Sequence, residues 1–187
     1  TDTPPTQRNS LRNQAISDGS VTAQTEWIGA TIHTLNYDLN DANSSIWEQY
    51  TLAFPYDGAI DDGSAYFMVN TSSWAVTLYE RTKYLRHVFK YAQQGAVRKE
   101  VTDSSSNYKG LAFENTNGTY VVTGVCSTSG TIDVVGLPSG TYEIRYTLGN
   151  GTSAPSVFDQ ALTNQTITGG QNVSFTMSGE GVFTVFD

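Results

Sequence analysis

Apolar side chains recur at helical spacing through the first half of the chain. A stripe between residues 21 and 40 is spaced by sevens, fours and threes, which places its members on one face of a helix. We therefore predict a helix over residues 21–40, with Ser20 as its N-cap. The stripe consists of Val21, Ile28, Ile32, Leu35 and Leu39.

A second apolar stripe predicts a helix over residues 78–94. Thr77 and Glu80 have the spacing of a capping box, in which two side chains satisfy free backbone N–H groups at the start of a helix. Gly95 follows, where a left-handed residue commonly ends a helix. Between the two helices, residues 45–54 form a short, aromatic-rich segment that ends before a proline, which predicts a strand.

The second half of the chain changes to the alternation that is typical of strands. Turn signals such as Asn117-Gly118, Asn150-Gly151 and Gly169-Gly170 separate the alternating segments. Short strands at this regular spacing predict an antiparallel β-sandwich. The predicted strands are residues 96–102, 109–114, 120–126, 131–135, 142–148, 156–162, 172–177 and 182–186.

The helical spacing of the first half and the strand alternation of the second divide the chain into two predicted domains, residues 1–95 and 96–187. The helix–strand–helix order of the first indicates part of an α/β layer, so the predicted fold class is α+β. A single strand cannot cover the apolar stripes of two helices. We therefore expect the first domain to be the end of a larger α/β domain, or to pack on another chain.

Charge excludes several classes of partner. The chain has 187 residues, 15% of them charged, and a net charge of −8. It lacks the excess of Lys and Arg that binds nucleic acid or an anionic membrane surface. Four cations crowd the outer face of the second predicted helix, and we interpret them as a solvated face rather than a basic patch. They are Arg81, Lys83, Arg86 and Lys90.

Composition favours an extracellular protein. Low charge together with abundant Ser, Thr, Asn, Gly and Tyr is typical of secreted β-rich chains. No run of eighteen apolar residues occurs, so we predict no membrane span. Cys126 is the one cysteine, and in a predicted strand we expect it to be a small buried hydrophobic residue.

Asn-x-Ser/Thr triplets occur six times, against roughly three expected by chance in a chain so rich in Ser and Thr. Such a triplet accepts an N-glycan in a secreted protein, and a used one must lie on the surface. We therefore predict a secreted glycoprotein. The acceptor residues are Asn43, Asn70, Asn117, Asn150, Asn164 and Asn172.

Three phrases of the sequence resemble one family of enzymes. Residues 89–98 resemble the phrase F-x-R-P-G-A-V-R that ends the eighth barrel helix of clan A retaining glycoside hydrolases of families 30 and 39, with Gln94 in place of the usual proline. Residues 111–122 resemble that family's next strand pair, and residues 136–142 resemble its G-L-P-A-G-T-Y hairpin. Order and spacing make the resemblance more specific than any single phrase.

The resemblance implies that residues 1–95 are the end of a (β/α)8 barrel and that residues 96–187 are the C-terminal β-sandwich. In that family the acid/base follows the fourth barrel strand and the nucleophile ends the seventh. The chain is expected to begin after strand seven, with residues 1–20 as a loop and small helix. We therefore expect neither catalytic glutamate here, and no Asn-Glu dipeptide, which usually marks the acid/base, occurs. The chain alone is predicted to be inactive.

The resemblance also gives the strand over residues 45–54 a role in binding polysaccharide. Trp47 and Tyr50 are candidates to stack on a sugar ring, because flat rings match the apolar face of a pyranose. Glu48 and Gln49 are candidates to hydrogen-bond sugar hydroxyls. The alternative is that the two aromatic residues belong to the core and that Glu48 is a solvated carboxylate.

No cofactor or metal is expected. The acidic loop of Asp57, Asp61 and Asp62 lacks the spacing of a calcium loop, and its carboxylates are expected to be solvated.

Two other functions stay open. The first is a non-catalytic extracellular glycoprotein subunit of a filament or surface layer, in which a neighbouring subunit, rather than the rest of a barrel, covers apolar side chains around Trp27 and Phe89. The second is a glycan-binding module formed by the β-sandwich alone. Its candidate aromatic row is Tyr108, Tyr120, Tyr142 and Tyr146.

Overall fold

A computed structural model describes residues 5–56 and 60–187 of the chain. The chain divides into two compact units, residues 1–82 and 83–187. The division falls inside the third helix, whereas the sequence predicted a boundary after residue 95.

Unit 1, residues 1–82, contains a β–α–β repeat. Strands β1 and β2 pair in parallel, and the helix between them makes the crossover connection. This is the unit from which parallel barrels are built. The elements are α1 (Pro5–Ser17), β1 (Thr22–Trp27), α2 (Ile32–Asn40) and β2 (Ser44–Gln49).

A second small sheet follows in unit 1. Strand β3 (Thr51–Tyr56) pairs in parallel with β4 (Ala65–Asn70), and β4 pairs antiparallel with β5 (Val76–Leu78). The single predicted strand over residues 45–54 is therefore two strands, β2 and β3, separated at Tyr50.

The helix predicted over residues 21–40 is wrong in its first part, where β1 lies. Gly29 has a φ of +91°, which interrupts any continuous helix between residues 21 and 40. Helix α2 starts afresh after Thr31, which is its N-cap in place of Ser20. The Thr31 and Thr34 side chains each accept a hydrogen bond from the other's backbone N–H, at 3.1 and 2.9 Å.

The second predicted helix is shorter than expected. Helix α3 spans Glu80–Phe89, and Thr77 belongs to β5, so the predicted capping box does not form. The residues of α3 from Lys83 onward belong to unit 2.

Unit 2, residues 83–187, is the predicted antiparallel β-sandwich. One sheet has the strand order β11-β10-β14-β8-β7-β6, with β12 also paired to β10, and a second sheet is formed by β9 and β13. Every predicted strand is present, and β12 is an addition. The strands are β6 (Val97–Lys99), β7 (Tyr108–Glu114), β8 (Tyr120–Cys126), β9 (Gly130–Val134), β10 (Gly140–Leu148), β11 (Val157–Ala161), β12 (Gln165–Ile167), β13 (Val173–Met177) and β14 (Gly181–Phe186).

The core of unit 2 lies between its two sheets. Phe175 of β13 meets Phe183 of β14 edge to face, with ring centroids 5.3 Å apart. Cys126 is buried in the same cluster, and burial raises the pKa of its thiol. Tyr142 is also buried there, and Tyr108, Tyr120 and Tyr146 are partly buried against it. The tyrosines considered as a glycan-binding row therefore pack inward.

Helix α3 covers the opposite face of the large sheet. The ring of His87 is buried between Thr184 and Thr147, whose Oγ1 atoms lie 2.8 Å from Nδ1 and Nε2 respectively. Thr184 Oγ1 donates to the carbonyl oxygen of His87, so it accepts from Nδ1–H, and Thr147 donates to Nε2. Burial lowers the pKa of His87 to about 3. The ring is therefore neutral at physiological pH.

The predicted α+β fold class with an antiparallel β-sandwich is confirmed. Among the described residues, no helix is long and apolar enough to cross a membrane.

Candidate functional site

Two parallel strands of unit 1 end at the same edge. Because β1 and β2 run in the same direction, Glu26 and Trp27 at the end of β1 lie beside Glu48 and Gln49 at the end of β2. The backbone N–H of Tyr50 donates to the carbonyl oxygen of Trp27 at 3.1 Å, which joins the two strand ends. Carboxyl ends of parallel strands are where barrel enzymes carry their chemistry.

Glu26 lies in a β-bulge. Gln24 pairs with Trp47 and Trp27 pairs with Gln49, so β1 has one residue more than β2 over this stretch. The φ of Glu26 is +55°, a left-handed conformation that costs a non-glycine residue on the order of 1 kcal/mol. Bulges next to active sites redirect side chains. The carboxylate of Glu26 is exposed at this edge.

Sequence reasoning missed Glu26 because it assigned residues 21–40 to one helix. A usable signal was present. Two β-branched threonines and a tryptophan surround the glutamate in the run Thr22–Trp27, and Gly29 follows closely.

Trp47 is directed toward the helices of unit 1. Its Nε1 donates a hydrogen bond to Asp38 Oδ2 of α2 at 3.0 Å, and its side chain is half-buried. This geometry agrees with the alternative of a core aromatic rather than with a sugar-stacking platform.

Tyr50 is the exposed aromatic of the site. It is 51% exposed and stacks on Phe54, with ring centroids 6.5 Å apart and an interplanar angle of 28°. Glu48 is exposed as well. These two predicted residues are therefore accessible to a ligand.

Gln49 is only 4% exposed, and its side chain joins the end of β2 to the backbone of residues 63 and 65. Its Nε2 donates to the carbonyl oxygens of Gly63 at 2.8 Å and Ala65 at 3.4 Å. Its backbone N–H donates to the hydroxyl of Tyr66 at 2.9 Å. Burial raises the pKa of Tyr66, and the charge of Glu48 adds to this. Gln49 therefore supports the strand end instead of facing solvent.

The carboxylates of the acidic loop accept hydrogen bonds from nearby backbone N–H groups. Asp61 accepts backbone hydrogen bonds from Gly63 at 3.0 Å and from Arg81 at 2.8 Å. Asp62 accepts from the hydroxyl and the N–H of Ser64, and the hydroxyl bond is the main cause that lowers the pKa of Asp62. Asp57 lies outside the described residues. Within those residues, no group of three His, Cys, Asp or Glu side chains could hold a metal ion.

The loop approaches the residues that follow β1. A Cβ at Gly63 would lie 2.5 Å from the backbone nitrogen of Ala30, and Gly63 has a φ of +77°. Glycine is therefore required where Ala30 N–H donates to the Gly63 carbonyl oxygen at 3.1 Å.

The sequon asparagines are all exposed, and none lies at the edge formed by Glu26 and Glu48. Asn43 directly precedes β2, so it lies at the opposite end of that strand. The Oδ1 atoms of Asn117 and Asn150 accept hydrogen bonds from the hydroxyls of Thr119 and Thr152, at 2.8 and 3.0 Å. The remaining exposed acceptors are Asn70, Asn164 and Asn172.

Comparison with known proteins finds solved structures with a similar fold. No protein-family model and no curated protein matches the sequence. The catalytic domain of the family 30 xylanase C from Talaromyces cellulolyticus matches with a TM-score of 0.63 and 20% identity, over 82% of this chain and 33% of that chain. The family 30 subfamily 8 xylanase from Clostridium acetobutylicum matches with a TM-score of 0.66 and 14% identity, over 93% and 44% of the two chains.

A family 51 arabinofuranosidase from Xanthomonas axonopodis pv. citri matches with a TM-score of 0.51 and 13% identity, over 82% of this chain and 33% of that chain. The chain spans less than half the length of each of these structures. The chain therefore has a fold similar to part of these glycoside hydrolase structures, including their C-terminal β-sandwich region. The resemblance noted in the sequence is thus confirmed at the level of fold.

Proposed function

We propose that the chain is the C-terminal portion of a secreted, N-glycosylated, glycoside hydrolase-like protein that acts on polysaccharide, and that Glu26 is a catalytic carboxylate. The position of Glu26 carries the proposal. It is the second-to-last residue of β1, the strand that precedes β2 and pairs with it in parallel, and β2 carries Trp47. If β2 corresponds to barrel strand eight, β1 corresponds to strand seven, whose end carries the nucleophile in the family that the sequence resembles.

This changes the expectation that both catalytic carboxylates are missing. Retaining hydrolysis uses two carboxyl groups about 5 Å apart, one as nucleophile and one as acid/base. Glu26 supplies the first. Its oxygen attacks the anomeric carbon, the bond to the leaving oxygen breaks, and a second carboxyl group protonates that oxygen. We assign no acid/base within this chain and still expect the chain alone to leave natural polysaccharides intact.

Two neighbours of Glu26 suit substrate contact. Glu48 lies next to the end of β2, and its exposed carboxylate can accept hydrogen bonds from sugar hydroxyls. The exposed ring of Tyr50 follows directly and can stack on a pyranose.

A fluorinated activated glycoside tests the proposal without an acid/base. Fluoride leaves without a proton, and fluorine at C2 slows breakdown of the glycosyl–carboxylate ester. Incubation with 2-deoxy-2-fluoro-xylobiosyl and 2-deoxy-2-fluoro-glucosyl fluorides, followed by peptide mass spectrometry, should find one glycosyl unit on Glu26. Glu26→Gln should abolish labelling and Glu48→Gln should retain it. Labelling of another carboxylate, or no labelling by either compound, would overturn the assignment.

A second function is favoured by one observation, a set of exposed apolar side chains on the small sheet of unit 1 and on the turn between β4 and β5. Leu52, Trp74 and Val76 are 69%, 75% and 60% exposed. In a non-catalytic filament or surface-layer subunit, a neighbouring copy would cover them. Sedimentation at increasing concentration should then show association, and a monomer up to millimolar concentration would exclude this function.

A further inference from the structure

Cations gather around one carboxylate of unit 2. Of the seven Lys and Arg residues between positions 83 and 187, four form what we call the basic cluster: Lys83, Arg86, Lys90 and Arg145. Arg86 forms an ion pair and a hydrogen bond with Asp159, and Lys90 Nζ lies 3.9 Å from the same carboxylate oxygen. Arg145 Nη1 donates to the carbonyl oxygen of Asp159 at 3.3 Å.

The structure changes which residues belong to the basic cluster. Arg81 was grouped with these side chains on the helix face, but it pairs with Asp61 in unit 1, with Nε and Oδ1 3.7 Å apart. Arg145 comes instead from β10. Arg86 and Lys90 contact the carboxylate of Asp159, Arg145 contacts its backbone carbonyl oxygen, and Lys83 lies over the ring of the preceding Phe158. Because the cations are grouped around these two neighbouring residues, we replace the interpretation of a solvated helix face.

An exposed aromatic ring borders the cluster. Phe158 of β11 is 42% exposed, and its ring centroid lies 5.8 Å from Lys83 Nζ and 5.7 Å from Arg86 Cζ. Strand β11 is one of the two edge strands of the large sheet, and β6 is the other. The ring of Phe158 is therefore a partly exposed apolar surface with two cations lying over it.

The backbone that carries Phe158 is held in a strained shape. The register between β10 and β11 shifts at this point, and Asp159 has a φ of +48°. The backbone N–H of Asp159 donates to Thr147 Oγ1 at 3.0 Å. Such strain persists only where several contacts over-determine the conformation, and it is often found where a side chain is presented to a ligand.

We propose that Phe158 and the basic cluster form a surface site for a carboxylated polysaccharide of the polyuronate class. One sugar ring stacks on Phe158, and carboxylates of that residue and its neighbour pair with Lys83 and Lys90. Arg86 stays with Asp159 and shapes the site. The choice of a sugar polymer rests on the proposed function, while the preference for carboxylated sugars rests on the cluster itself. Exposed ion pairs are individually weak, so we expect a Kd of about 0.1–1 mM.

Matched ligands and matched variants test the site in the full 187-residue chain. Binding of a galacturonate oligomer at about 0.1 M salt, where charges interact over about 10 Å, is compared with binding of its methyl ester, which has the same rings without the charge. The acid should bind at least tenfold more tightly. Lys83→Gln/Lys90→Gln should weaken binding at least fivefold. The control variant Lys99→Gln/Lys109→Gln also removes two positive charges, but these lysines lie outside the basic cluster and pair with Glu114 and Asp103. It should change binding less than twofold.

Phe158→Ala separates a sugar site from a general anion site. The substitution should weaken galacturonate binding at least threefold and leave binding of polyglutamate unchanged. Equal losses in the two lysine double variants, tight binding of the methyl ester, or polyglutamate binding as strong as that of galacturonate would each overturn the proposal. Labelling at Glu26 occurs in unit 1 and does not use this site, so either proposal can fail without the other.

Discussion

Trp47 Nε1 donates to Asp38 Oδ2 at 3.0 Å, while Arg8 Nε lies 3.0 Å from Asp38 Oδ1. All three side chains are at least half-buried, and one carboxylate thereby joins α1, α2 and β2. Arg8 Nε and Nη2 make no hydrogen bond within the described part of the chain, so charge attraction is what the pair contributes. The contact directs the indole of Trp47 toward the helices.

Removing the charge of Asp38 should destabilise unit 1 strongly. Asp38→Asn leaves the buried Arg8 without a counter-ion, which costs about 3–5 kcal/mol. Trp47→Phe leaves no buried charge unpaired, and loss of its hydrogen bond to a charged acceptor should cost about 1.5–3 kcal/mol. All three tryptophans lie in unit 1, so urea unfolding followed by tryptophan fluorescence reports on this unit. Trp74→Phe, at an exposed position, is the control and should change stability by less than about 0.5 kcal/mol.

Glu26 should be a position where function costs stability. Glycine adopts a φ of +55° freely, and this relief of about 1 kcal/mol offsets the entropic cost of a glycine in a strand, so Glu26→Gly should leave the stability of unit 1 nearly unchanged while abolishing glycosyl labelling. Glu48→Gly, in a strand residue without positive φ, should instead destabilise by about 0.5–1 kcal/mol. A loss of stability in Glu26→Gly as large as that in Glu48→Gly would show that the bulge is not strained.

His87 should make the stability of unit 2 fall in mild acid. Its pKa is about 3 in the folded chain against 6.5 when unfolded, so the unfolded state binds the extra proton between these values. The stabilisation is complete above pH 6.5 and is lost as pH falls, by about 3 kcal/mol at pH 4.

His87→Gln should remove most of this pH dependence, and His33→Gln, at the only other histidine, should retain it. Unfolding monitored by far-UV circular dichroism at about pH 7, 5.5 and 4 provides the measurement. If the free energy of unfolding of His87→Gln falls with pH as steeply as that of the unsubstituted chain, His87 is not the source of the pH dependence.

Asp159 contributes separately and at lower pH. Burial acts to raise its pKa, but the hydrogen bond and charge of Arg86 outweigh burial, so the pKa is lowered and its stabilisation is lost only below about pH 4.

Gly149 and Tyr84 should be energetically coupled. A Cβ at Gly149 would lie 2.1 Å from the Tyr84 hydroxyl oxygen, and Gly149 has a φ of +143°. Gly149→Ala should therefore destabilise unit 2 by about 3 kcal/mol or more. Tyr84→Phe removes the oxygen but also its hydrogen bond to the carbonyl oxygen of Ser153. In a double-mutant cycle, Gly149→Ala should cost at least about 1 kcal/mol less when it is combined with Tyr84→Phe, and strict additivity would exclude the clash.

The β-sandwich could be predicted because its turns are local. Gly118, Gly151 and Gly170 each have a positive φ, and each stands in a turn dipeptide that is visible in the sequence. Strand β12 was missed because only three residues of it pair, along the first part of β10.

The candidate site was only half predicted. Glu48 and Tyr50 were found because they belong to an aromatic-rich segment, and both are exposed. Glu26 was missed because the apolar residues around it fit a helical period as well as a strand. The role of Trp47 depended on Asp38, whose carboxylate takes its indole N–H.

The sequence by itself determined the strands and turns of unit 2, the acidity of the chain and its six sequons, since these depend on residue type and on the φ preference of one or two neighbouring residues. Only the tertiary structure decided that residues 22–27 form a strand. Their backbone groups pair with β2, about twenty residues further on, and that long-range pairing outweighs a local helical period. The same pairing places Glu26 in a bulge at the strand edge, beside Glu48.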